Sequence, residues 1–288
     1  MRKTFIRTTL AATVAAAALA MGALVGPAHA LTVQQVIVSF DPTPDDPFNN
    51  DEVRDDERID DSSGPIDRSI LASINDPDGR FSGQGSVGEF GNLGVFGGLG
   101  RTGAFDTQIF IENDDFQNIS GKAQQASLQF VIDGGSFFMI AGQDSVIDFA
   151  LTVRKDFFPV YQSGFEYRST TPFGGNNQLT TFGADLDLQT NNPFELEMPV
   201  NFETVDLGII QPNEQFAISY QLDITVTGVD FVEVLGFEFS DPFAVSGFGE
   251  FPTVSFSDAP QAVPLPATAP LAAAAIGMLV LARRRRRR

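Results

Sequence analysis

The chain contains no cysteine and no tryptophan, and only one of its 288 residues is histidine. Without thiols no disulfide can staple the fold and no thiolate can bind a metal or attack a substrate, so a buried core has to hold it together. The histidine, His29, falls in a stretch that reads as a removable leader. The rest of the chain therefore lacks the usual general base at neutral pH and the commonest zinc ligand. Positive charge is also scarce. Eighteen Lys and Arg face thirty-seven Asp and Glu, and nine of the eighteen lie at the two ends, three before residue 31 and six after residue 282. Residues 31–262 thus carry a balance of −28. So negative a surface repels nucleic acid and anionic lipid, which excludes a nucleic-acid partner and suits cations or neutral polymers.

The first thirty residues have the layout of a secretory signal. Arg2, Lys3 and Arg7 form a basic head, residues 10–25 form an alanine-rich apolar stretch, and Ala28-His29-Ala30 is a small-x-small cleavage site. Cleavage after Ala30 would leave Leu31 as the mature terminus. The alternative is an uncleaved membrane helix, which the short, alanine-dominated core and the well-placed cleavage site disfavour.

At the other end, Val263-Pro264-Leu265-Pro266-Ala267 precedes an uncharged stretch of sixteen residues, 267–282, and then six arginines, Arg283, Arg284, Arg285, Arg286, Arg287 and Arg288. As a helix that stretch would be roughly 24 Å long, short of the ~30 Å hydrocarbon core of a bilayer. The arginines resist translocation, so the positive-inside rule keeps them cytoplasmic and places the bulk of the chain outside. A permanent one-pass anchor is one reading. Proline motif, short apolar helix and terminal arginine cluster together resemble the VPLPA variant of the PEP-CTERM sorting signal of Gram-negative bacteria. The resemblance covers about twenty-six residues. It implies that the tail holds an exported precursor in the inner membrane until an exosortase processes it near the proline motif and releases it to the cell surface or extracellular matrix. Pro270 departs from the pattern by delaying the helix start to about Leu271, which weakens unaided anchoring further.

Between the ends, residues 31–262 are enough for one large β domain or two small ones. TVQQVIVSF alternates Val36, Val38 and Phe40 on one face and predicts an opening strand. SLQFVID and FFMI flank Asp133-Gly134-Gly135 and predict a hairpin. SVIDFALTV puts Ile147, Phe149, Leu151 and Val153 on one face. FAISYQLDITV sets Phe216, Ile218, Tyr220, Leu222, Ile224 and Val226 against Ala217, Ser219, Gln221, Asp223 and Thr225, a half-buried strand with one wet face. Only IDRSILASI, with Ile66, Ile70, Leu71 and Ile74 near helical spacing, predicts a short helix. The expected fold is all-β: an antiparallel sandwich, jelly-roll-like, with acidic and Gly-rich loops, plus a C-terminal transmembrane helix.

Two segments break the pattern. Residues 41–61 hold ten acids, two arginines and three prolines, too little apolar surface to order themselves, and predict a solvated loop. The sharper alternative is a calcium site using Asp51, Asp55 and Asp56, calcium being the one cofactor left open. The nearby NDPDG (Asn75–Gly79) falls short of a calcium loop because Ile74 stands where an acid is needed. Residues 79–104 contain ten glycines and predict turns or a glycine-bearing edge strand. GGLGRT places Thr102 where a β-roll repeat requires Asp, and no GxGxxG lies between a strand and a helix.

Twenty-eight phenylalanines accompany only three tyrosines. Phenylalanine supplies buried area without a polar handle, so most should be core. Tyr161 and Tyr167, with Phe165, are candidates for a modest sugar-stacking platform, although a hydrophobic strand end accounts for them equally well. Catalysis has little material: Lys122 and Lys155 are the only lysines outside the leader, no S-x-x-K or G-x-S-x-G occurs, and no carboxylate pair can be nominated. The sequence therefore predicts a non-enzymatic envelope or matrix protein with a structural or interaction role. A carbohydrate-binding module at exopolysaccharide is the alternative, and a carboxylate-based glycoside hydrolase a more distant one.

Overall fold

A computed structural model describes residues 33–42, 52–60, 69–88, 93–132, 134–171, 177–229, 232–240 and 253–259. The leader with Ala28 and Ala30, the sorting tail 263–288 with its predicted helix, and Asp51 lie outside the described residues. The described part is all-β and antiparallel, with no helix. Its strands are β1 (Val33–Asp41), β2 (Val53–Asp60), β3 (Ile70–Asn75), β4 (Phe81–Val87), β5 (Leu93–Leu99) and β6 (Gly103–Gln117). There follow β7 (Gln124–Ile132), β8 (Gly135–Ala141), β9 (Val146–Lys155), β10 (Phe158–Ser169), β11 (Asn177–Gly183) and β12 (Gln189–Asn192). The last are β13 (Glu195–Met198), β14 (Asn201–Ile210), β15 (Gln215–Gly228), β16 (Val232–Ser240) and β17 (Thr253–Asp258). A first sheet has the order β11-β10-β9-β15-β6-β1-β2, a second β12-β13-β8-β16-β5-β4-β3, and a third β14-β7-β17.

Phenylalanines join the inner faces of these sheets. Phe137 of the second sheet meets Phe149 and Phe165 of the first edge-on, with centroids 5.8 and 4.9 Å away, while Phe149 and Phe165 stack at 5.2 Å. Phe40 stacks on Phe81 at 4.0 Å, and Phe105 meets Phe237 at 6.0 Å. The third sheet contributes Phe130, which lies against Tyr161 and Tyr220 of the first. Burying each such ring is worth about 1.5–3 kcal/mol, which is how a chain without disulfides holds this many strands.

Residues 81–87 and 93–99 of the glycine-rich segment are neither loop nor edge strand, while 79–80 and 100–102 do turn. They form β4 and β5, each paired on both sides within the second sheet. The reason is volume. Gly83 and Gly97 are register partners facing the core, and a methyl on either would overlap the ring of fully buried Phe105. A Cβ on Gly85 would meet Val36 Cγ1 at 2.5 Å. The bare backbone of two strands is a socket for side chains of the opposing sheet.

The acidic segment also departs from expectation, because its second half is strand β2, paired along its length with β1. β2 stays exposed while β1 buries Val36, Val38 and Phe40, so the partner supplies the burial that β2 lacks. Its charges alternate in sign along the outer face. Arg54 pairs with Asp56 at 3.1 Å and Arg58 with Asp60 at 3.2 Å, each worth at most about 1 kcal/mol on so open a surface. A charged edge strand also discourages pairing with another chain.

The predicted helix is strand β3. Ile70, Ala72 and Ile74 are buried while Leu71 and Asn75 are exposed, a period of two that a short apolar run leaves indistinguishable from a helix until its neighbour is known. The predicted hairpin at 133–135 is a through-going bend; Asp133 itself lies outside the described residues. β7 pairs with β14 and β8 with β13 in one uninterrupted register, from Phe138 opposite Glu195 to Ser127 opposite Asp206. The ribbon passes from the third sheet to the second where Gly134, at φ +103°, lies so near Met198 O that a Cβ would stand 2.7 Å from it. Opposite, Pro199 offers no N–H to the ladder.

Candidate functional site

The structure moves both sets of predicted site residues. Tyr161 and Tyr167 face the core, 7% and 1% exposed, and Phe165 is fully buried, so none presents a ring for stacking. The Tyr167 hydroxyl accepts from Asn177 Nδ2 at 2.9 Å and donates to Pro193 O at 3.4 Å. Burial, then the charge of Glu203, pushes the Tyr161 phenol above its ordinary range. The two tyrosines are structural, because their alternation on β10 falls in step with Phe165, on the buried side.

Asp55 and Asp56 are neighbours on β2, and adjacent strand residues point to opposite faces. Asp55 Oδ2 accepts the backbone N–H of Ser73 on β3 at 2.7 Å. Asp56 accepts from Gln35 Nε2 at 3.2 Å and pairs with Arg54. They do not converge on one cation, and among the described residues no three His, Cys, Asp or Glu side chains group to hold a metal. The NDPDG turn between β3 and β4 spends its carboxylate locally, Asp76 accepting the N–H groups of Asp78 and Arg80 at 3.3 and 3.2 Å.

The polar feature the fold does build is the outer face of the first sheet. Cross-strand register sets Asp56, Ile37, Gln108, Asp223 and Ala150 in one row, with Arg58, Gln35, Phe110, Gln221 and Thr152 in the next. Hydrogen bonds fix these side chains. Arg154 Nη1 donates to Gln221 Oε1 at 3.0 Å, and Gln221 Nε2 donates to both oxygens of Asp223 at 3.1 and 2.9 Å. Arg58 Nη1 donates to Gln35 Oε1 at 3.2 Å, and Thr225 Oγ1 to Asp106 Oδ1 at 2.6 Å. A shallow hollow of about 180 Å³ opens between Gln35, Gln108, Phe110 and Gln221.

Partial burial raises the carboxyls of Asp106, Asp148, Asp223 and Glu112 above their ordinary values. Half-buried Glu166 goes the other way, its carboxyl lowered by the hydrogen bond from Arg168 Nε at 2.9 Å. Fixed amides and half-desolvated carboxylates on an open sheet can hold a polar polymer by hydrogen bonds. They do not enclose a reacting bond away from water.

No protein-family model matches this chain, and no curated protein matches it in sequence. The reading of function therefore rests on the residues themselves. The alternation of FAISYQLDITV marks Gln221 and Asp223 as a wet face. Nothing local says that Arg154 and Gln35 complete the surface around them, because β15 joins β9 and β6, tens of residues away in the chain.

Proposed function

We propose that this chain is an exported, exosortase-sorted protein of the cell envelope or extracellular matrix with a structural, interaction role. The observation that carries the reading is the C-terminal series of Val263–Ala267, a marginal apolar stretch and Arg283–Arg288, set against a leader ending at Ala30. The last described strand, β17, ends at Asp258, with four residues between it and Val263, an arrangement that suits a folded domain carried on a terminal tail. In this reading residues 1–30 are removed on export, the tail engages the inner membrane transiently, and exosortase is the processing partner. The domain is a jelly-roll-like sandwich, a reading supported by inner faces joined through phenylalanine and by a chain that crosses repeatedly between sheets. The open hydrogen-bonded face of the first sheet favours binding over turnover, so the domain acts without catalysis.

The test replaces Val263–Ala267 with a neutral linker and follows the protein by cell fractionation and mass spectrometry. The parent is expected to leave the inner membrane in shortened form, and the variant to stay there at full length. Unchanged release and surface location of the variant would overturn the reading. A second reading, carbohydrate binding at exopolysaccharide, moves from Tyr161 and Tyr167 to aromatic rings that do stand on the surface, Phe96 and Phe138.

A further inference from the structure

The outer face of the second sheet carries a trough of about 540 Å³, within the range typical of ligand pockets. Its floor is the register pair Gly98 on β5 and Gly236 on β16. Phe138 on β8 continues the row on one side and Ser82 on β4 on the other, so the row spans four strands, about 14 Å. Phe96 and Glu238 flank the floor along one side, Val234 and Arg80 along the other. Phe96 is 45% and Phe138 37% exposed. From strand spacing and rise their Cα atoms lie about 12 Å apart, room for separate rings of one ligand.

The two floor glycines differ in an informative way. A Cβ on Gly236 would stand 2.6 Å from Gly97 O, so backbone approach requires that glycine. A Cβ on Gly98 would meet nothing nearer than Leu235 O at 3.5 Å, an ordinary contact. The fold tolerates a side chain at 98, and its absence keeps the trough open between two exposed phenyl rings.

We propose that this trough binds a neutral polysaccharide, with one sugar face on Phe96, another on Phe138, and hydroxyls hydrogen-bonded by Glu238, Arg80 and Ser82. A pyranose has apolar C–H faces and a polar rim, which matches aromatic posts flanked by the polar side chains of Glu238, Arg80 and Ser82. The domain's balance of −28 repels polyanions, whereas the lining itself carries only one anion, Glu238, and one cation, Arg80, which also pairs with Asp78 at 3.9 Å. A peptide adding as a strand needs an unpaired edge, and β8, β16, β5 and β4 are each paired on both sides. This inference rests on the carbohydrate-binding reading and not on the sorting tail.

The experiment is calorimetric titration of the full-length chain in detergent with cellohexaose, laminarihexaose, mannohexaose and xylohexaose, and with an acidic galacturonate hexamer. At least one neutral hexasaccharide is expected to bind. Phe96→Ala and Phe138→Ala should each weaken that binding by about tenfold, the scale of one aromatic contact. Gly98→Val should weaken it at least as much without lowering the melting temperature, which keeps the test decisive should a phenylalanine variant fail to fold. Phe202→Ala, on the exposed side of β14 in the third sheet, should leave binding unchanged. Failure of all four neutral sugars to bind, preference for the acidic hexamer, or undiminished binding by Gly98→Val would overturn the proposal. So would a dimer, seen by analytical ultracentrifugation, that Phe96→Ala dissolves, since the occupant would then be a second copy of the chain.

Discussion

Replacing Gly97 by alanine should damage this protein, and replacing its neighbour Gly98 by alanine should not. At Gly97 the added methyl would stand 2.7 Å from Phe105 Cζ, with a second ring carbon nearer still. Phe105 is fully buried, held from one side by Phe237 and from the other by the facing socket residue Gly83. It can relieve the overlap only by leaving a favoured rotamer or by parting the sheets. Overpacking of this kind costs about 1–3 kcal/mol, and the severity of the overlap places Gly97→Ala near 3. For a domain of this size that lowers the melting temperature by about 6–12 °C. At Gly98 the same methyl makes only ordinary contact, 3.5 Å from Leu235 O, and restricts the unfolded chain, so stability should hold or rise by about 0.4–1 kcal/mol. Scanning calorimetry of the full-length chain in detergent would measure both. A double-mutant cycle sharpens the result. Phe105→Ala alone should cost about 3–5 kcal/mol, and Gly97→Ala in that background less than about 1, because the ring it strikes is gone. Equal melting of the two glycine variants, or additivity in the cycle, would refute the socket.

Three further outcomes follow from the same coordinates. Asp106, Asp148, Asp223 and Glu112 have folded-state carboxyls raised mainly by burial, so the folded protein holds protons more readily than the unfolded chain. Stability should therefore rise as pH falls from neutrality toward the ordinary carboxylate range, and Asp223→Asn should flatten part of that rise; a steady fall in melting temperature over this window would contradict the assignment. Asp55→Ala removes the acceptor of the Ser73 N–H at the edge of β3 and should cost about 1 kcal/mol in urea denaturation, equally with and without calcium. A loss seen only with calcium would restore Asp55 as a ligand. Tyr167→Phe should cost about 1 kcal/mol, because it deprives Asn177 Nδ2 of one of its two acceptors, and should leave hexasaccharide binding untouched; loss of binding would return the sugar site to β10.

Strand identity in this protein is a local property, and much of it could be read directly. Wherever apolar and polar residues alternate over six or more positions, as in β1, β9 and β15, periodicity names both the strand and its wet face, since side chains on a strand alternate sides. The readings that failed concern segments whose order depends on a neighbour. β2 has only Ile59 to pack against the core and is a strand because β1 lies beside it. β4 and β5 are strands because Phe105 and Val36 fill the space their glycines leave. Tyr161 and Tyr167 read as surface candidates by residue type, yet Phe130 and the ends of other strands cover them.

What the sequence by itself determined is the all-β character, the inward face of each alternating strand, and the exclusion of thiol and histidine chemistry beyond His29. Only the tertiary structure decided which strands became neighbours, that Gln35, Arg154, Gln221 and Asp223 share one surface, and that Phe96 and Phe138 frame a glycine floor. The physical reason is range. Alternation is written between residues two apart, whereas β-sheet pairing joins residues as distant as Gly94 and Ser240, whose register no local pattern specifies.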